Sequence, residues 1–476
     1  MKDAPEWAKA HKVPGTELRL LGGKYRLYKI TSKWNPEKKR SQKVTLNFLG
    51  TITEQEGLIR PKVEQIKDSL SEISVLEYGA HALVDALAAE IKAHLERHFP
   101  KSWRQIWVAA QMRFIHQSPI KNWAYHYERS YLTQSIPVQL NQKSCGVFLR
   151  KLGCDRDRIV RFLRELSGNE DEHILIDTTH VTSESEKIDI TKKGYNSSLH
   201  FQSQINLLYI FSADKKAPLY YRMLPGNIRE ISAMRLSVEE SGLKNVTLIG
   251  DKGFYSKANV EALVAAKLRY ILPLRRNNSL VNYSLIESGD KRKLDGHFLF
   301  NKRPIWHSKL STDVTLFLDE HLKLQESTDY LSRIHEGCDG YSTEEFHKRQ
   351  HQFGTIAMSS NIPEISPQDM YLKYKARGAI EQAFDSYKNL LDADTTYMHG
   401  TEQMEAWSFI NFLALLFYYK AYNALLSANL LDKFSVRDLI LRAREAKKLH
   451  ILGQWKPTEV SLKTRSLFDR VKAPIT

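Results

Sequence analysis

Cysteine is almost missing from this 476-residue chain, which has only Cys145, Cys154 and Cys338. No two stand in a CxxC spacing and no His pattern accompanies them, so neither a disulfide framework nor a cysteine-ligated zinc module is encoded. Long apolar runs are missing as well. The longest, residues 409–416, is interrupted by Asn411 and falls far short of the ~20 residues of a membrane-spanning helix. The opening MKDAPEWAKAHK lacks the apolar stretch of a secretory signal. There is no internal repeat or low-complexity tract, and 42% hydrophobic with 10% aromatic residues argues against extended disorder. These absences predict a reduced, cytoplasmic protein with no membrane partner. Negative charge is also short: 55 Asp and Glu face 70 Lys and Arg, a net charge of +15 that favours a polyanionic partner. The excess is spread along the chain. Residues 1–60 hold 13 basic against 6 acidic side chains, and residues 269–309 hold 9 against 3.

The length calls for two to four structural units. Residues 24–52 alternate apolar and polar side chains, break at WNPEKK and alternate again through Val44, Leu46 and Phe48, which predicts a basic two-stranded ribbon. From 75 to 131 the period becomes helical, with Leu83, Leu87, Ile91 and Leu95 at fourfold spacing. Further helices are predicted at 142–152 and 156–166. At His173 the character changes to short strand-like runs, HILIDTTHV, INLLYIF, APLYYRML, VTLIG and YILPL, with helices predicted between the later ones. Strands first, then alternating helix and strand, predict an α/β fold with a mixed sheet and packed helices. The expected organisation is an N-terminal DNA-binding region (1–166), a first core segment (167–273), a mostly β insertion (274–366), a final core helix (367–398) and a helical C-terminal region (399–476).

The chemistry concentrates at three carboxylates. Asp177 lies in an apolar strand, where an uncompensated charge costs several kcal/mol; it either accepts hydrogen bonds from Thr178, Thr179 or backbone amides, or holds something cationic. Asp251 ends VTLIGD before KGFYSK, a place equally suited to a turn-capping Asp. Residues 371–391 read YLKYKARGAIEQAFDSYKNLL. At about 100° per residue Tyr374, Arg377, Glu381 and Lys388 fall within roughly 60° of arc, opposite Ala379, Ile380 and Phe384. That face is either a solvated surface with ordinary ion pairs or a carboxylate set among phosphate-neutralising groups. Two strand-end aspartates and a helical glutamate can hold two hard divalent cations about 3.5 to 4 Å apart, the arrangement that clamps a phosphoryl displacement. With oxygen ligands only, Mg²⁺ is the natural ion.

These residues resemble the DDE transposases of bacterial and archaeal insertion sequences, specifically the insertion-sequence-four superfamily. Its mark, Tyr, two residues, Arg, three residues, Glu, six residues, Lys, is matched at Tyr374, Arg377, Glu381 and Lys388. The Asp–Thr of an apolar strand (Asp177), the Asp–basic–Gly–aromatic run Asp251 to Phe254, and the small-polar segment from Ile356 add to the likeness. The carboxylates are separated by 74 and 130 residues, the second gap long enough for the insertion this family carries. The resemblance implies a ribonuclease H-like core, two Mg²⁺ or Mn²⁺ ions held by Asp177, Asp251 and Glu381, and DNA contacts from Tyr374, Arg377 and Lys388. It further implies cut-and-paste transposition, with transposon ends and target as double-stranded DNA partners, a homodimer in the synaptic complex and a nucleoid-associated location. The family's base-stacking aromatic has one candidate here, Trp306 in NKRPIWHSK, which could equally pack the insertion's own core. A DDE-related nuclease without strand transfer and a domesticated DNA-binding protein are the rival readings; loss of a carboxylate would favour the second, and none is missing.

Overall fold

The computed structural model describes residues 4–64, 73–168, 173–183, 185–195, 201–227, 230–385, 395–451 and 453–475. The chain forms two compact units, Met1–Glu77 with Ala446–Glu459, and Tyr78–Glu445 with Val460–Ile475.

In the first unit, β1 (Thr16–Leu21), β2 (Lys24–Asn35), β3 (Arg40–Thr53) and β4 (Gly57–Ile59) make an antiparallel sheet in that order. Ala8, Leu18, Leu27 and Ile52 form its small core. β2 and β3 continue pairing well past that core, out to Asn35 opposite Arg40. There the Asn35 side chain accepts from the amides of Glu37 and Lys38 and closes the turn. The outer ribbon is therefore open to solvent: Lys33, Lys38, Lys39, Arg40 and Lys43 are exposed, and so are Val44, Leu46 and Trp34, the last 61% exposed. At Gly50 (φ +148°) a Cβ would lie 2.3 Å from the Ile59 carbonyl, so only glycine lets β4 come this close. A second small sheet joins β5 (Ser74–Glu77) to Lys447–Ile451 and Gln454–Pro457.

The second unit is a mixed sheet flanked by helices. Its centre is β6 (His173–Ser183), β8 (Phe201–Ser212), β9 (Ala217–Pro225), β10 (Thr247–Ile249) and β11 (Arg269–Pro273), with the short β7 (Lys192–Tyr195) also on β8. Across the sheet the order is β9–β8–β6–β10–β11; β8 is antiparallel to both neighbours, while β6, β10 and β11 are parallel. In order of appearance this is strand 3-2-1-4-5, the ribonuclease H-like arrangement. Helices Glu230–Ser241 and Lys257–Ala265 supply the connections that parallel strands require.

The segment after Pro273 does not fold as a separate layer. Its strands β12 (Gly296–Phe300), β13 (Arg303–Lys309), β14 (Val314–Asp319) and β15 (Thr355–Ser360) extend the same sheet, β15 pairing antiparallel with β11. It also carries helices Glu320–His335 and Thr343–Arg349. Nor is residue 166 a boundary of compactness: the helices from Gly79 onward belong with the sheet. The reason is helix Thr401–Ser427, which packs on β9 and on helices Trp103–His116 and Gln142–Gly153. It is far longer than the 409–416 run: burial is continuous from Met404 to Phe417 and takes in the polar Glu405, Ser408 and Asn411. By length and composition it could cross a membrane, yet 67% of its most apolar stretch is buried within the fold, and Phe412 stacks on Tyr209 and meets Tyr221 at a tilt. It is the core helix of this unit.

Candidate catalytic site

The burial of β6 explains where Asp177 can stand. Ile174, Leu175 and Ile176 are buried in succession, then the strand changes at Asp177 to alternating burial, so the carboxylate sits where one face of the sheet opens. Register places Asp251 near it: Ile249, the last residue of β10, is opposite Leu175 on parallel strands, and Asp251 and Asp177 follow two residues later along the chain, Asp251 just past the strand's end. Gly250 allows the chain to leave β10 there, since a Cβ would meet Leu272 and Phe254 at 2.9 and 3.2 Å.

The third carboxylate arrives on a helix that starts for local reasons. Ser366 accepts from the Asp369 amide as N-cap and Pro367 occupies the first turn. Tyr371, 1% exposed, fixes helix Pro367–Lys375 against Phe298, Phe300 and Phe317 of the added strands. Lys373 meets His173 Nε2 at the start of β6. The continuous helix expected over 371–391 is broken: Pro367–Lys375 ends at Ala376, and Gly378–Asp385 begins anew. Gly378, about 1 kcal/mol worse than Ala inside a helix, lies at the break, as does the inward pull on Arg377.

That pull is the central feature. The Arg377 guanidinium touches all three carboxylates, Nη1 at 2.9 Å from Asp251 Oδ1, and Nη2 at 3.0 Å from Glu381 Oε1 and 3.5 Å from Asp177 Oδ2. Burial alone would depress its pKa, but Asp251, Asp177 and Glu381 outweigh that and raise it. Tyr374, packed one turn earlier, has its hydroxyl pKa raised, chiefly by burial. Asp177 Oδ1 also accepts the Thr178 amide at 2.8 Å. A single cation thus bridges three all-oxygen donors from two strands and one helix, and a donor set of this kind fits hard divalent ions.

Beside this cluster lies a cleft of about 760 Å³ lined by Asp251, Lys252, Arg275, Arg276, Tyr374 and Arg377. Arg275 and Arg276 were not singled out from the sequence, although their signal was legible as a paired Arg directly after the apolar YILPL. Lys388 lies outside the described residues. Among the described residues Trp306 has no contact with the carboxylates; it is half-buried against the cluster of Leu274, Leu316 and Leu318, with Lys291 over its ring and His297 alongside.

Compared with known proteins, a family model described as Transposase DDE domain matches residues 168–417, more than half of the chain. No curated protein matches. Among solved structures, a piggyBac transposase synaptic complex with hairpin DNA, determined by cryo-EM, is similar at 12% identity and a TM-score of 0.36, covering 64% of this chain; the chain spans 59% of that relative.

Proposed function

The chain belongs to the DDE transposase family, and from that premise we propose that it is an insertion-sequence-four transposase of a bacterial or archaeal element, acting in the cytoplasm on nucleoid DNA. The observation that carries this reading is the convergence of Asp177, Asp251 and Glu381 on one guanidinium. In this reading the three carboxylates would hold two Mg²⁺ or Mn²⁺ ions, which supply charge neutralisation at the phosphoryl group and activate the attacking water or 3′-hydroxyl. The protein's own groups do the positioning. Tyr374 offers a hydroxyl donor toward the cleft, Arg377 and Lys388 neutralise phosphates of the transposon end, and Lys252, Arg275 and Arg276 line the path beside them. Cleavage of the element's ends frees 3′-hydroxyls, which then attack target DNA in a homodimeric synaptic complex. Incubating the protein with a DNA end and a target plasmid tests this: joined products are expected, whereas cut ends without joining would identify a nuclease, and bound but intact DNA a binding protein.

The exposed ribbon of β2 and β3 is proposed to hold the inner part of the transposon end, because its basic side chains are mostly turned to solvent, Lys43 alone among those named above reaching back to Glu17 of β1, at 3.6 Å. Replacing Lys33, Lys38, Lys39 and Arg40 by Ser should weaken end binding and lower the log–log salt slope by about 0.9 for each phosphate contact removed. Lys388→Ala should lower it by about one such contact. A slope that stays at the wild-type value places these side chains off the DNA.

For Trp306 the proposed role is stacking on an unpaired base, in a setting that also contains Lys302, Arg303 and Lys309. Trp306→Ala is then expected to leave the melting temperature and the first nick intact and to slow release of the second strand. A lowered melting temperature with loss of every step would show that the indole serves only the packing described above.

A further inference from the structure

We propose that His94, His98 and Glu165 form a separate site for a borderline-soft divalent cation, zinc foremost, joining helix Ala89–His98 to helix Arg156–Ser167. The two histidines stand four residues apart, on one face of their helix, and Glu165 faces them from the neighbouring one. His94 Nδ1 is 3.3 Å from Glu165 Oε1, His98 Nε2 contacts Glu165 Oε2, and the three donor atoms lie within 4.8 Å of one another. Tetrahedral donors about 2.0–2.1 Å from a zinc ion are roughly 3.3 Å apart, so little movement is needed to receive one.

The site is built by packing rather than by chance proximity of surface chains. Ile91, Leu95 and Phe162 are buried beneath it, and the His98 ring stands edge-on to Phe162 at 6.0 Å. His94 Nδ1 is buried and makes no hydrogen bond among the described residues. Both imidazoles are pushed below their ordinary pKa, first by burial and then by neighbouring cations. The charged groups facing the site are Glu90 toward His94, and Arg97, Arg158 and Arg161 toward the histidines. Arg97, 64% exposed, shares Glu165 Oε1 and can leave it for solvent. That basic surround opposes every divalent cation, so the imidazole nitrogens decide which is held: they suit zinc, whereas Mg²⁺ and Ca²⁺ prefer oxygen donors. Glu96 projects about 200° around the helix from His94 and so does not share its face; the three protein ligands clamp two helices.

The test uses the full-length protein in excess Mg²⁺, which saturates oxygen-only sites. After gel filtration, elemental analysis should find one zinc per chain, the melting temperature should rise with zinc concentration, and Co²⁺ should give the intense visible absorption of four-coordinate nitrogen ligation. H94Q/H98Q should lose the zinc and its thermal shift while keeping its far-ultraviolet circular dichroism. R97Q should bind zinc several-fold more tightly, because the cation competing for Glu165 has gone. No retained zinc, retention unaffected by H94Q/H98Q, or an R97Q protein that melts lower and gains no zinc affinity would each overturn the proposal and leave a plain ion-pair network.

Discussion

Ala in place of Asp177, Asp251 or Glu381 is expected to remove strand cleavage while leaving binding to a transposon end intact. Charge stabilisation by a metal pair in phosphoryl transfer is worth several kcal/mol, and 1.36 kcal/mol is tenfold in rate, so each single substitution should slow cleavage by about three orders of magnitude. Binding should stay within a few-fold and lean toward tighter, because one negative charge has gone from beside the phosphate path. Asn and Gln at the same positions control for shape. They keep the volume beside Arg377, which in the protein contacts all three carboxylates, and should cleave no better than Ala. Cleavage near the wild-type rate in any of the three removes that residue from the reaction, and equal loss of binding and cleavage reduces the cluster to a structural ion-pair network.

Arg156→Met is expected to destabilise the second unit by about 3–5 kcal/mol, the usual consequence of leaving one partner of a buried ion pair alone. Arg156 Nη1 is 2.7 Å from Glu405 Oε1, Nε is 3.3 Å from Glu240 Oε1, and Nη2 donates to Tyr220 Oη and the Tyr221 carbonyl at 2.9 and 2.8 Å. Four elements meet there: helix Arg156–Ser167, β9, helix Glu230–Ser241 and the core helix Thr401–Ser427. Without the guanidinium Glu405, 8% exposed, keeps among the described residues the Tyr221 hydroxyl at 2.6 Å, whereas Glu240 still has Arg222 at 2.6 Å. The loss is a large share of the 5–15 kcal/mol typical of a domain and is read from denaturant unfolding. The double variant Arg156→Met, Glu405→Met should recover most of it, since the stranded charge is then gone. A single variant within about 1 kcal/mol of wild type, or a double variant no better than the single, contradicts this account.

Several parts of the structure were legible because they rest on short-range causes. The strands around Asp177 and Asp251 are apolar runs ending in turn residues, and burial of both faces of a central strand leaves few alternatives to such runs. Helices predicted at 142–152 and 156–166 are found at Gln142–Gly153 and Arg156–Ser167, each amphipathic enough to be set by its own period. The mixed α/β character followed from the order of these elements. Lys388, expected on the same helix face, lies outside the described residues.

Other features depend on partners far away in sequence. β15 pairs with β11 across about eighty residues, so whether the intervening chain makes a layer of its own or widens the sheet was invisible to local periodicity. The break at Ala376–Arg377 coincides with one guanidinium meeting carboxylates from β6, from the turn after β10 and from the following helix, an electrostatic preference that a helical wheel does not contain. His94 and His98 read alone as an ordinary half-polar helix face; Glu165, sixty-seven residues on, turns them into a cluster. By itself the sequence determined which residues could bear charge at a strand end or a helix face, since burial pattern and residue chemistry are local. The tertiary structure alone decided which of those charges share a site, since Coulomb energy depends on distance in space and not on separation along the chain.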